Sequence, residues 1–434
     1  MISTLIIAIC TSILLILSIL FFPTIKFKKI TLSSYWIVTL IGAILLLIFH
    51  DISVKQIIED ITSNNSINPL KILILFFSMT ILSIFLDEVG LFKYLASKAS
   101  LLCKNSQLKL FFIFYFIISI LTIFTSNDIV ILTFTPFICY FCKNAKVNPI
   151  PYLIAEFAGS NTWSMMLLIG NPTNIYLATS NNITFLEYFK IMAFPTIISG
   201  FIELIVLLIL FYKQLKKEFK VNDIQVEKIH DKFNLIIGII CLGSCLIFLV
   251  LSSYINIEMY LVALSFSIFL VILEIIVKII RKDSNKYIIN TLKRLPYALI
   301  PFVLSMFIIV STLKSQGISK EISDLLGENQ VIIKYGISSF FICNLINNIP
   351  MSVLYSTLPQ MSDYALKCQA IYSTIIGSNI GAFLTPIGAL AGIMFTNLIA
   401  KYEVKFSFRT FIKYGTIISF FTLLSALLTL SLIL

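Results

Sequence analysis

The chain has 434 residues, of which 59% are hydrophobic and 12% charged. That composition excludes an ordinary soluble domain, and repeated apolar runs of about 18–22 residues place the chain among polytopic membrane proteins. The net charge of +11 sits in short loops between apolar runs, so no nucleic-acid partner is expected and the lipid bilayer is.

Residues 2–22 form the first apolar run. Met1-Ile2-Ser3 carries no basic residue and no small-residue cleavage site is evident, so the run reads as a retained span and not a signal peptide. Further spans are expected at 32–49 and 70–90, a hairpin at 110–142, an interrupted span at 150–178 and a span at 190–212. A solvated connector of mixed charge follows at 213–232. The pattern then repeats: 233–253, 259–280, 296–313, a hairpin at 331–360, an interrupted span at 368–398 and a last span at 408–433. An odd number of crossings per copy inverts the second copy. The expected fold is therefore all-α and polytopic, with inverted repeats at 1–212 and 233–434 and a cytoplasmic linker between them. Each repeat holds five spans and one re-entrant hairpin.

Charge orients this arrangement. With the amino terminus outside, 25 of the 32 basic residues fall on the inner side. The positive-inside bias predicts a multi-pass protein of the plasma membrane with both termini outside.

The first hairpin carries the polar stretch Ser126-Asn127-Asp128 between apolar arms of about 14 residues each. A crossing helix needs roughly 20, so arms of this length suit a hairpin that enters and leaves on one side. Polar residues and irregular backbone at such depth mark a functional site by default. The second half echoes it with Asn347-Asn348-Ile349-Pro350. Downstream of each hairpin comes an identical triplet, Gly159-Ser160-Asn161 and Gly377-Ser378-Asn379, followed eleven residues later by Gly170 and Gly388. The separation from Asn127 to Gly159 is 32 residues and from Asn347 to Gly377 is 30, which indicates an internal duplication.

The interrupted spans are the second constellation. Gly170-Asn171-Pro172-Thr173-Asn174 breaks one and Thr385-Pro386-Ile387-Gly388 the other. Proline removes a backbone donor and glycine relaxes the chain, freeing carbonyls and half-helix amino termini to meet a solute at mid-membrane. Few acids lie within spans. Asp128 and Glu156 are enclosed by apolar runs and are the candidate proton carriers, whereas Asp87, Glu88 and Glu274 lie near span ends and can pair with loop lysines. Glu203 lies in the fifth span. A plain reading of Asp128 remains open, as an amino-terminal cap of the second arm. No Arg or Lys lies in either tip or either break, which favours a neutral solute or a cation over a multiply charged anion. The eight cysteines, including Cys139 and Cys142, read as ordinary apolar-helix residues, and no metal site is expected.

Several stretches together resemble the arsenical-pump membrane transporters. They are Leu86-Asp87-Glu88-Val89-Gly90-Leu91-Phe92, Asn127-Asp128 before Leu132-Thr133-Phe134-Thr135-Pro136, Asn347-Asn348-Ile349-Pro350, and Leu384-Thr385-Pro386-Ile387-Gly388-Ala389-Leu390. That family belongs to the ion transporter superfamily, with the NhaD-type sodium/proton antiporters and the divalent anion/sodium symporters. The resemblance implies a scaffold of outer spans around a mobile unit of hairpins and interrupted helices. It also implies that Asn127 and Asp128 on one side, and Asn347 and Asn348 on the other, line the solute site. Gly170-Asn171-Pro172-Thr173-Asn174 looks more like the carboxylate and anion branch.

The expected solute-binding set is Ser126, Asn127, Asp128, Asn161, Asn171, Thr173, Asn174, Asn347, Asn348, Asn379 and Thr385. The expected function is secondary transport of a small inorganic or organic solute, foremost proton-coupled efflux of arsenite or antimonite. A sodium-coupled carrier of carboxylates or other anions and a sodium/proton antiporter are the alternatives. A channel or a membrane scaffold fits the paired breaks less well. No enzyme is expected, since no nucleophile–base pairing or nucleotide-binding loop is present, and no cofactor beyond a coupling H+ or Na+. A homodimer and a separate ATPase partner stay open.

Overall fold

The computed structural model describes residues 2–434 apart from 23, 28–29, 63–67, 104, 219–227, 230, 282–285, 359–360, 362 and 403. Its elements follow from the apolar runs. Eight described helices are long and apolar enough to cross a membrane, among them Ile2–Phe21, Pro69–Glu88, Phe185–Leu215, Lys232–Leu251, Met259–Arg281 and Phe408–Ser431. Leu299–Ser315 forms the expected span at 296–313, joined to a short basic helix, Tyr287–Arg294. The second expected span is only the 15 residues of Ser34–Ile48, packed between Ile2–Phe21 and Leu299–Ser315.

Two details differ from the sequence reading. The loop after the first span holds a two-stranded ribbon, Thr24–Phe27 paired antiparallel with Ile30–Ser33. Alternating β-branched residues in Thr24-Ile25-Lys26-Phe27 and Ile30-Thr31-Leu32-Ser33 favour it. The arms of the first hairpin are also longer than about 14 residues, being Gln107–Phe124 and Asn127–Ala145, of 18 and 19. The helices continue past the apolar runs into polar ends, Gln107 to Lys109 and Lys143 to Ala145. Arm length therefore does not by itself separate a re-entrant hairpin from two crossings. The second pair is shorter: Val331–Ile346 has 16 residues and Asn348–Tyr355 only 8. Most of the connector expected at 213–232 lies outside the described residues.

Both interrupted spans are interrupted where proline and glycine predict. The first runs Ile150–Trp163, unwinds, and resumes at Pro172–Thr179. The second runs Tyr364–Gly381 and resumes at Leu390–Lys401. Ile150–Trp163 is buried on every face from Pro151 onward, and Tyr364–Gly381 likewise from Ala370, so these helices form the centre of the bundle. The outer helices leave apolar side chains uncovered, Ile268, Phe269, Ile272 and Ile276 along Met259–Arg281, as lipid-facing helices must.

The halves repeat their neighbour relations. Gln107–Phe124 packs on Ile150–Trp163, and Val331–Ile346 packs on Tyr364–Gly381. The Gly-Ser-Asn triplets sit at these contacts. A Cβ on Gly377 would fall 2.1 Å from Ser339 Oγ and 2.2 Å from the Gly336 carbonyl, so only glycine lets the backbones approach. The last helices of the halves, Phe185–Leu215 and Phe408–Ser431, pack against each other.

Candidate functional site

The first tip is made by extended backbone at Ser126 (φ −152°, ψ 145°), after which the second arm starts at Asn127. Asn127 is 1% exposed, and its amide donates to Asn161 Oδ1 at 3.1 Å while its Oδ1 accepts the Asp128 N–H at 2.9 Å. Asn161 in turn donates to the Phe157 carbonyl at 2.7 Å. The second tip turns on one residue, Asn347, held at φ 71°, a strained backbone for any residue but glycine. Its amide donates to the Ile387 carbonyl at 3.0 Å, and the Asn348 N–H donates to the Gly388 carbonyl at 2.9 Å. Thr385 donates to Asn344 Oδ1 at 2.6 Å, and Asn344 donates to the Gly381 carbonyl at 2.9 Å. Asn344 was missed from sequence because it precedes the tip as one polar residue on an apolar helix.

The breaks meet across the halves. Asn379 Oδ1 accepts from Asn171 Nδ2 at 2.8 Å and from Ser164 Oγ at 3.1 Å, and Asn379 Nδ2 donates to Asn174 Oδ1 at 2.7 Å. Ser378 donates to Thr173 at 3.2 Å. All these residues are buried and none carries charge. The structure thus gathers Asn171, Thr173, Asn174 and Asn379 into one cluster. Asn127 and Asn161 bond to each other, Asn347, Asn348 and Thr385 bond around the second break, and neither tip bonds to the other among the described residues.

Asp128 lies on the wall of a cavity of about 180 Å³, together with Ser126, Thr80, Arg294 and Asn397. The cap position of its helix is held by Ser126, so Asp128 is not the amino-terminal cap. Ser126 Oγ is buried and lacks a hydrogen-bond partner, leaving a polar group for a solute or water to satisfy. Glu156 is fully buried against the second arm, where Thr135 donates to Oε1 at 2.9 Å and Oε2 is unmatched. Its partner Thr135 sits seven residues along the arm from Asp128, a helix rise of about 10 Å.

Arg294 corrects the reading of the site as free of fixed positive charge. Its guanidinium lines the Asp128 cavity and donates to Asp87 Oδ2 at 2.6 Å and Glu88 Oε1 at 2.5 Å. Thr133 of the second arm also donates to Asp87, at 3.0 Å, tying this ion cluster to the hairpin. Arg294 ends the short helix Tyr287–Arg294, far along the chain, so no local motif marked it. The signal was the pair Asp87-Glu88, acids at a span end that needed a cation. On the cavity wall itself Asp128 and Arg294 are the charged residues, while Asp87 and Glu88 hold Arg294 from outside the wall. A second buried acid, Glu203, accepts from Thr162 and lies 3.2 Å from the Tyr115 hydroxyl, which also accepts from Trp163 Nε1 at 3.1 Å.

Apolar crossing helices around two broken helices, with cavities walled in part by the helices that restart after the breaks, define a polytopic membrane transporter. The chain belongs to the citrate transporter (CitMHS) family, which matches residues 13–366. It is 24% identical over 361 residues to an arsenical pump membrane protein of Escherichia coli, covering 79% of this chain and 82% of that one. An uncharacterized transporter of Synechocystis is 22% identical over 409 residues, 87% of this chain and 88% of that one. Among solved structures, the YdaH transporter of Alcanivorax borkumensis superposes with a TM-score of 0.58 at 15% identity, covering 99% of this chain and 98% of that one. The fold is shared along the whole chain, and the resemblance drawn from its motifs is borne out.

Proposed function

We propose that the protein is a secondary transporter that exports a small neutral metalloid hydroxide, arsenite or antimonite, in exchange for protons across the plasma membrane. The halves act as inverted repeats, with both termini outside and both hairpins re-entrant. One observation carries this reading: the polar centre is a buried Asn–Thr–Ser cluster without charge, and a separate cavity carries the carboxyl of Asp128 on its wall. Amides and hydroxyls can both donate to and accept from a polyhydroxy solute, and they offer nothing to neutralise a multivalent anion. Asp128 forms no ion pair among the described residues, so it is the group free to take up and release a proton as the site changes sides. The resemblance to the arsenical pump of Escherichia coli supports the same solute class.

A second reading has its own support. Arg294 faces the cavity and the family is described as citrate transporters, so a carboxylate carrier would use Arg294 after release from Asp87 and Glu88. Everted vesicles under an imposed proton gradient separate the two. Antimonite accumulation driven by protons supports the first reading. Citrate or succinate flux driven by sodium, with no antimonite flux, replaces it with the second.

A further inference from the structure

The Asp128 cavity has a counterpart at the other end of the helix Leu299–Ser315. A cavity of about 310 Å³ is lined by Gln56, Asp60, Tyr176, Lys314, Ser315 and Thr357. Leu299 borders the Asp128 cavity and Ser315 this one. The 16 steps from Leu299 to Ser315 rise about 24 Å, so the cavities lie at opposite ends of this helix. Their walls are built alike. The Asp128 cavity takes its walls from the helix that restarts after the first tip and from Leu390–Lys401, which restarts after the second break. This one uses Asn348–Tyr355 with Thr357 just beyond, after the second tip, and Pro172–Thr179, after the first break.

Tyr176 points to what the cavity holds. The residue is 3% exposed, lies two positions beyond Asn174 on the same short helix and lines the cavity, and its hydroxyl, beside Ser356, has no hydrogen-bond partner among the described residues. A buried hydroxyl left this way is costly unless something fills the space. Asp60, the wall's carboxylate, already accepts from Ser311. The wall's other polar donors are the Tyr176 hydroxyl, the half-buried Gln56 amide and the exposed Lys314 ammonium, all able to meet acceptor oxygens.

We propose that this cavity is a second solute site, on the outer side of the bundle, holding the oxygen atoms of the transported molecule between Tyr176, Gln56 and Lys314. It rests on the transporter reading above but not on which solute is carried, because hydroxide oxygens of a metalloid and carboxylate oxygens of an organic acid use the same donors. The solute passes between it and the Asp128 cavity through the Asn174–Asn379 cluster.

Sided measurements test this. Ser315→Cys and Asn397→Cys, each made with Cys10→Ser to remove the exposed native thiol, are treated with a membrane-impermeant thiol reagent in right-side-out and everted vesicles. Position 315 should react only from outside and position 397 only from inside; reaction of both from the same face overturns the proposal whatever the solute. In the second arm, Tyr176→Phe should raise the KM for solute presented outside by at least about threefold, leaving the KM from inside unchanged. Antimonite and citrate are run separately, and whichever is carried identifies the source of the oxygens. An unchanged outside KM for the carried solute, or an equal rise on both sides, refutes the site. The separate proton-coupling readout decides the reading above, so the two can fail independently.

Discussion

The first hairpin turns at Thr125-Ser126 and restarts on Asn127-Asp128, with an acid on the cavity wall. The second turns on Asn347 alone, with its side chain bonded to the break it serves. Both tips put an asparagine at the start of a helix in the bundle's interior. Only one adds a titratable group. Two tips of similar geometry thus differ in charge, an arrangement that would suit the proposed carrier with one proton site.

The largest effect should come from removing that charge. Asp128→Asn preserves size and the Asn127 contact to the backbone N–H, and should abolish proton-driven antimonite transport while solute exchange at equal pH persists. Exchange and uphill transport both surviving would reduce Asp128 to a spectator and turn attention to Glu156. Next, Asn379→Leu removes partners of Asn171, Asn174 and Ser164 together. At about 1–3 kcal/mol per stranded buried group, it should lower thermal stability in detergent clearly and reduce transport. Unchanged melting would show that the cluster does not hold the halves together.

Asn347→Ala deletes the bond to Ile387 and leaves alanine at positive φ, so solute affinity should weaken by roughly 1–3 kcal/mol with coupling intact. Equal loss of coupling would erase the proposed division between the tips. The smallest effect expected is that of Arg294→Lys, which keeps charge but loses the two-pronged contact to Asp87 and Glu88. About 1 kcal/mol or less of stability is at stake at this partly exposed pair. A large change in citrate selectivity instead would favour the carboxylate reading.

Much of the fold could be read from the chain because apolar length and proline–glycine breaks are local signals. Gly170 to Asn174 and Thr385 to Gly388 each mark a real interruption. The Gly-Ser-Asn triplets, which indicate a duplication in the sequence, both lie in buried helices at the centre of the bundle. What local pattern could not supply was partnership across distance. Arg294 reaches Asp87 over 207 positions and Asn379 reaches Asn171 over 208. The arms of the first hairpin are longer than expected because their helices extend beyond their apolar stretches. Tyr176 was invisible as a site residue because an isolated tyrosine in an apolar helix carries no signal until its unmatched hydroxyl is seen beside a cavity.

The central claim is that one carboxyl couples solute to proton. Everted vesicles with an acidic lumen and a trapped pH dye test it most directly. Adding antimonite to vesicles bearing the unaltered protein should release protons from the lumen and raise the dye's pH reading. The Asp128→Asn protein should exchange antimonite yet leave the reading flat. Proton release of equal size in the variant would contradict the account.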